Sequence, residues 1–138
     1  MEKELDITSL KNAVSALGTS IETYNEFADK SEKLKDTLRS GVIQNFEVAY
    51  ELCWKFMKKW MEINVSSTIL METTRREFYK LAKQYGLIGN FEDWWLFHDS
   101  RNKTSHIYNG ATAEEVYDNA LMFLEIAKKF VCDMEKKI

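Results

Sequence analysis

The segment Arg101-Asn102-Lys103-Thr104-Ser105-His106-Ile107-Tyr108 places a permanent cation, an imidazole that titrates near neutrality and a phenol within one short stretch. Together these are groups suited to handling phosphates. An aromatic run, Phe91-Glu92-Asp93-Trp94-Trp95-Leu96-Phe97, precedes them and the turn pair Asn109-Gly110 follows. The polar cluster is therefore expected where a very apolar helix ends, a position that can line a cleft. On a straight helix Arg101 shares a face with Ser105 and Tyr108, while His106 is rotated about 140° from Arg101. Two arrangements remain open: the helix ends or tightens near Thr104, or two protomers each bring their groups to a shared cleft.

Other chemistries find less support. His98-Asp99 lies close to a second histidine, but the chain holds only 2 His and 2 Cys, with no ligand spacing among them. No metal site and no cofactor are expected, and His98 is read as structural or accessory, on the interface side of the helix. Neither a glycine-rich phosphate loop nor the paired carboxylates of a nucleotidyltransferase appear. Glu47, Glu51 and Lys55 form an i, i+4 ladder that reads as a solvated helix strip.

Helices must carry these groups. Pro is absent, Gly numbers 5, and Leu, Lys, Glu and Met recur at helical spacing. Ile7, Leu10, Val14, Leu17, Ile21, Tyr24 and Phe27 predict a first helix over about 6–29, weakly interrupted by Gly18. Ser31 can cap a second, over about 32–63, with Ile43, Phe46, Tyr50, Cys53, Met57 and Met61 on one face. Val48, Leu52, Phe56, Trp60 and Ile63 form another stripe, so this helix should be central. Residues 64–71 break the pattern, and a third helix resumes at Thr73 or Thr74 and ends near Gly86. Asn90 can cap a fourth helix, and Thr112 with Glu115 has capping-box spacing for a fifth, striped by Val116, Ala120, Phe123, Leu124, Ala127, Val131 and Met134. The expected fold is all-α, an antiparallel (up-down) four-helix-type bundle with a short extra helix. In the fourth helix Phe91, Trp94 and Trp95 share one face and Leu96 and Phe97 point elsewhere, so two copies are expected to bury each other as a homodimer. The alternative is a helix inserted deep in its own bundle.

Residues 1–138 read as one domain. A net charge of -3 with mixed signs gives no overall nucleic-acid field, so any RNA contact must be local. Lys55, Lys58 and Lys59, or Arg75, Arg76, Lys80 and Lys83, could supply it, although such runs usually mark solvated faces. No apolar run approaches the ~20 residues of a membrane span. With both cysteines in apolar stripes and no secretory pattern, the expectation is a cytoplasmic protein with two buried free thiols.

Arg, four residues, His, one residue, Tyr is also a family signature, and the chain resembles the HEPN superfamily in its nucleotidyltransferase substrate-binding, or HepT-like, group. Gln44-Asn45-Phe46-Glu47 with Tyr50-Glu51 and Trp54-Lys55 resembles that group's second helix, and Gly86-Leu87-Ile88 leading to Trp94 resembles the approach to its motif helix. The resemblance implies a dimer working with a separately encoded nucleotidyltransferase as the toxin of a toxin-antitoxin pair. It implies a metal-independent endoribonuclease with Arg101 and His106 as catalytic groups and Asn102 and Ser105 binding substrate. Tyr108 would be the site on which the transferase places AMP. The same side chains suit a non-enzymatic subunit that binds nucleotide or substrate in the dimer cleft, and sequence leaves both readings open.

Overall fold

The computed structural model describes residues 5–138. Helix α1 (Thr8–Phe27) opens on Asp6, whose carboxylate accepts from the Thr8 amide at 2.9 Å and the Thr8 hydroxyl at 2.6 Å. Leu10, Val14, Leu17 and Ile21 form its buried stripe. Gly18 does not interrupt the helix; a Cβ there would meet Leu124 at an ordinary contact distance of 3.8 Å. One 3₁₀ turn, Ala28–Lys30, leads to Ser31, which caps the 30-residue α2 (Glu32–Met61) by accepting from the Leu34 amide.

In α2 the first predicted face is buried, from Ile43 through Phe46, Tyr50, Cys53 and Met57 to Met61, and Val42 joins it. The second stripe is only partly covered: Phe56 is buried and Leu52 and Trp60 pack half-buried against the core, whereas Val48 and Ile63 stand 49% and 53% exposed. Residues 64–71 are also more regular than expected. A π turn (Glu62–Ser66) runs directly from α2 into the short α3 (Ser67–Met71), capped by Ser66, because hydroxyls there supply local acceptors as the ladder widens.

Helix α4 (Arg75–Gln84) resumes where expected, with Thr74 as its cap. The chain leaves α4 through Gly86 at φ +78, with the Leu87 amide returning to the Ala82 carbonyl at 2.9 Å. Asn90 then caps α5 (Phe91–Asn102), accepting from the Glu92 and Asp93 amides. After the 3₁₀ turn Lys103–His106 comes α6 (Gly110–Lys137). Its cap is Asn109, not Thr112: the Asn109 side chain, on extended backbone, accepts from the Ala111 and Thr112 amides, and the helix starts before the predicted box.

Contacts between helices give their directions. Lys11 pairs with Glu135 and Tyr24 stacks on Tyr117, so α1 and α6 run oppositely. Arg39 pairs with Glu114 while Phe46 packs on Phe123, so α2 and α6 run alike. Tyr50 meets His98, Trp94 meets Phe130, and Asn119 meets Ser100, which sets α5 against both α2 and α6. Thus α1, α2, α5 and α6 alternate in direction, and α3 with α4 forms the crossover. No strand occurs among the described residues, and no helix among them is long and apolar enough to cross a membrane.

At the centre, Phe46, Trp94, Phe97 and Phe123 pack edge to face with ring centroids 5.1 to 5.9 Å apart. Trp94 and Phe97 therefore share a face, three residues apart, contrary to the grouping of Phe97 with Leu96 away from the tryptophans. Most of the fourth helix's aromatic surface is spent within its own chain, and Trp95 is the member left at the surface, 36% exposed. Cys53 lies fully inside this core, where burial pushes its thiol well above the usual range. Cys132, predicted buried, is exposed because α6 turns Val131 and Met134 inward on either side of it.

Candidate functional site

Asn102 ends α5, and the next turn tightens to 3₁₀ over Lys103–His106, as the first of the two expected arrangements has it. Thr104 makes the bend. Its hydroxyl donates to the Arg101 carbonyl at 2.8 Å and accepts from Arg101 Nη1 at 3.3 Å, so this buried threonine ties both ends of the arginine. Beyond it Ser105, His106 and Tyr108 are exposed, Tyr108 to 86%. The His106 and Tyr108 rings meet edge to face with centroids 6.1 Å apart.

Arg101 does not bond to His106. Its Nε lies 3.2 Å from Glu51 and its Nη2 3.7 Å from Glu47, two carboxylates one turn apart on α2. The Nε–H is not aimed at the Glu51 oxygen, so the contact is an ion pair rather than a hydrogen bond, and this buried nitrogen has no acceptor of its own. The ladder that reads from sequence as a solvated strip is thus the counter-charge of the motif arginine. Nearby, Lys103 is clamped between Asp99 and Glu115, which hold its ammonium pKa above the ordinary value and staple α5 to α6.

A second polar group lies behind the motif, and the sequence analysis missed most of it. The Arg75 guanidinium lies 3.8 Å from the centroid of the Trp54 ring, and its Nη1 donates to the Tyr50 hydroxyl at 2.9 Å and approaches His98 Nδ1 at 3.2 Å. Tyr50 also bonds to His98 Nδ1 and to the buried hydroxyl of Tyr79. Burial drives the Tyr50 phenol up to about 12 and pushes that of Tyr79 well above the ordinary phenol value, so both stay protonated. On its other side His98 Nε2 faces the Asn102 amide at 3.4 Å. Burial, then the Arg75 charge, lowers the His98 pKa. No spacing rule links Arg75 to His98, because they come from different helices, α4 and α5. The usable signal was a histidine on the inner side of an aromatic helix, which needs a polar partner.

Among the described residues no group of three or more His, Cys, Asp or Glu could hold a metal ion. What the arrangement offers is an exposed imidazole and phenol beside a half-buried guanidinium, at the end of a helix anchored in the core.

These features define an all-helical protein with an Arg, His and Tyr cluster at the end of its most aromatic helix. The chain belongs to the family described as nucleotidyltransferase substrate binding protein like, whose model matches residues 5–136. A protein of Haemophilus influenzae named "Probable ribonuclease HepT" is 35% identical over 98 residues, 70% of this chain and 67% of that one. A solved Haemophilus influenzae structure, described as revealing the fold of a substrate binding domain of a nucleotidyltransferase, superposes with a TM-score of 0.85 at 28% identity. That match covers 94% of this chain and 98% of the other.

Proposed function

We propose that this protein is a HepT-like endoribonuclease, the toxin partner of a separately encoded nucleotidyltransferase, and that AMP placed on Tyr108 silences it. The observation that carries the reading is the gathering of Arg101, Asn102, His106 and Tyr108 at one helix end, with His106 and Tyr108 exposed and in contact, in a chain homologous to a probable ribonuclease. His106 removes the proton from a ribose 2′-hydroxyl, the 2′-oxygen attacks phosphorus, and the 5′-oxygen leaves with a proton. The products are a 2′,3′-cyclic phosphate and a free 5′-hydroxyl. Arg101 stabilises the charge that builds on the phosphorane oxygens. Asn102 and Ser105, both exposed beside His106 in the chain, bind the substrate phosphate.

The motif lies on an open surface of one chain, so a second copy supplies the other wall of the cleft. With two copies of His106 present, one serves as base and the other as acid. Trp95, next to His98 with ring centroids 5.3 Å apart, is the exposed aromatic from which that homodimer contact is built. On Tyr108 an added AMP brings about one negative charge beside His106, competes for Arg101 and occupies the space of the RNA phosphate. The chain acts in the cytoplasm as one domain, with no resident cofactor.

The test is RNA cleavage in EDTA by protein whose intact mass shows no AMP. The wild type should cleave, and His106→Ala and Arg101→Ala should not while remaining folded. Equal cleavage by all three sinks the catalytic assignment. A second reading, a non-enzymatic subunit that presents nucleotide or substrate to the transferase, is favoured by the ion pairs that hold Arg101 on Glu47 and Glu51 rather than toward His106. It predicts no cleavage by any variant, and loss of nucleotide binding in both.

A further inference from the structure

We propose that His98 is a positioning residue that turns the Asn102 amide so that its NH₂ group faces outward, as a donor to the substrate phosphate. The Arg75 guanidinium can only donate and cannot lose its charge. Its Nη1 stands 3.2 Å from His98 Nδ1, and the Tyr50 hydroxyl stands 3.0 Å from the same nitrogen. A proton on Nδ1 would face the Arg75 N–H, so Nδ1 is the acceptor and the ring proton sits on Nε2. That proton points at the Asn102 amide, whose nearer atom, placed as Nδ2, stands 3.4 Å away, so the amide must turn over to accept it.

A protonated Nε2 needs an acceptor, and Asn102 offers one only through Oδ1. Amide oxygen and nitrogen have nearly the same shape, so their placement follows from the hydrogen bonds and puts Oδ1 toward His98. The NH₂ group then points away from the ring, on the exposed end of α5 next to Arg101. With the opposite tautomer the carbonyl would face the incoming phosphate and repel it. The relay is held from behind by Trp54, under the Arg75 guanidinium, and by Tyr79, bonded to Tyr50.

The charged groups around the ring agree with a neutral imidazole. Burial, the largest effect, and the charges of Arg75 from α4 and Arg101 from α5 disfavour a second proton, against Glu51 from α2 and Asp99 from α5. The role rests on reading Asn102 as a phosphate contact, but the state of the ring can be measured separately.

Long-range ¹⁵N–¹H NMR on wild type, assigned against His98→Gln, reads the tautomer directly, since the chain has only 2 histidines. The expected result is Nε2–H with bare Nδ1 at neutral pH. Arg75→Met should mix the tautomers, raise the titration point of His98 and weaken an uncleavable 2′-deoxy RNA analogue about tenfold, the loss of roughly one hydrogen bond. Arg75→Lys, which keeps a cationic donor, should restore part of both effects and serves if the methionine variant fails to fold. Nδ1–H in the wild type overturns the proposal, as does a folded Arg75→Met protein with wild-type tautomer and wild-type affinity. If wild type neither binds nor cleaves RNA, the proposed function fails, and the tautomer comparison alone decides the role of His98.

Discussion

Neutralising Glu51 tests whether the ion pair on Arg101 competes with substrate. The carboxylate lies 3.2 Å from Arg101 Nε, and the two side chains are 33% and 32% exposed. With that much solvent contact the water-like limit applies, and 332/(80 × 3.2) gives about 1.3 kcal/mol of attraction that a phosphate must displace. Glu51→Gln should therefore tighten binding of a 2′-deoxy RNA analogue by roughly tenfold, measured by fluorescence anisotropy at low salt. Stability should fall by no more than about 1 kcal/mol in urea, because half-exposed pairs contribute little. Glu47→Gln, on the longer 3.7 Å contact, should shift affinity in the same direction by less. Raised salt should shrink both differences. Weaker binding in Glu51→Gln would refute the reasoning, and would mean that the carboxylate aims the guanidinium at the phosphate rather than contending for it.

Trp94→Ala removes the ring shared by Tyr79, Phe97, Phe123 and Phe130 and should cost about 3–5 kcal/mol in denaturant unfolding, against little for the half-exposed Trp95→Ala in the monomer. The His98 pKa is lowered from 6.5 in the folded chain, so the unfolded chain takes up its proton first as pH falls. His98 thus contributes stability that is present above pH 6.5 and is lost below it as pH drops through the folded pKa. Melting temperature should decline across that window, and His98→Gln should flatten the decline. A thiol reagent should label Cys132 in the native protein and Cys53 only after unfolding, as counted by intact mass.

Much of the fold is legible where side-chain periodicity and local capping act together. Ser31 and Asn90 cap the helices they were expected to cap, and most of the α1 and α6 stripes fall on buried residues, with Phe27 at the end of α1 left exposed. What failed were judgements needing a third dimension. Val48 and Ile63 look like part of a second core face, but among the described residues they stand about half exposed. Phe97 was separated from Trp94, although an i, i+3 pair on α5 lies side by side. The motif was readable because its residues are neighbours in sequence. Its counter-charges on α2 and the Arg75 relay from α4 were not, since they meet it only through the crossover.

Helix α5 is both the keel of the core and the arm that holds the polar cluster. Trp94 and Phe97 fix its rotation inside the bundle, and Arg101 and Asn102 ride on the same rigid rod one to two turns further along. A change in packing volume at the base, too small to unfold the chain, swings the far end and re-aims the cluster. Core and surface chemistry in this protein therefore cannot drift independently: substitutions at the aromatic base are inherited by the polar tip as altered aim, and compensation must arise on the facing aromatics of α2 and α6.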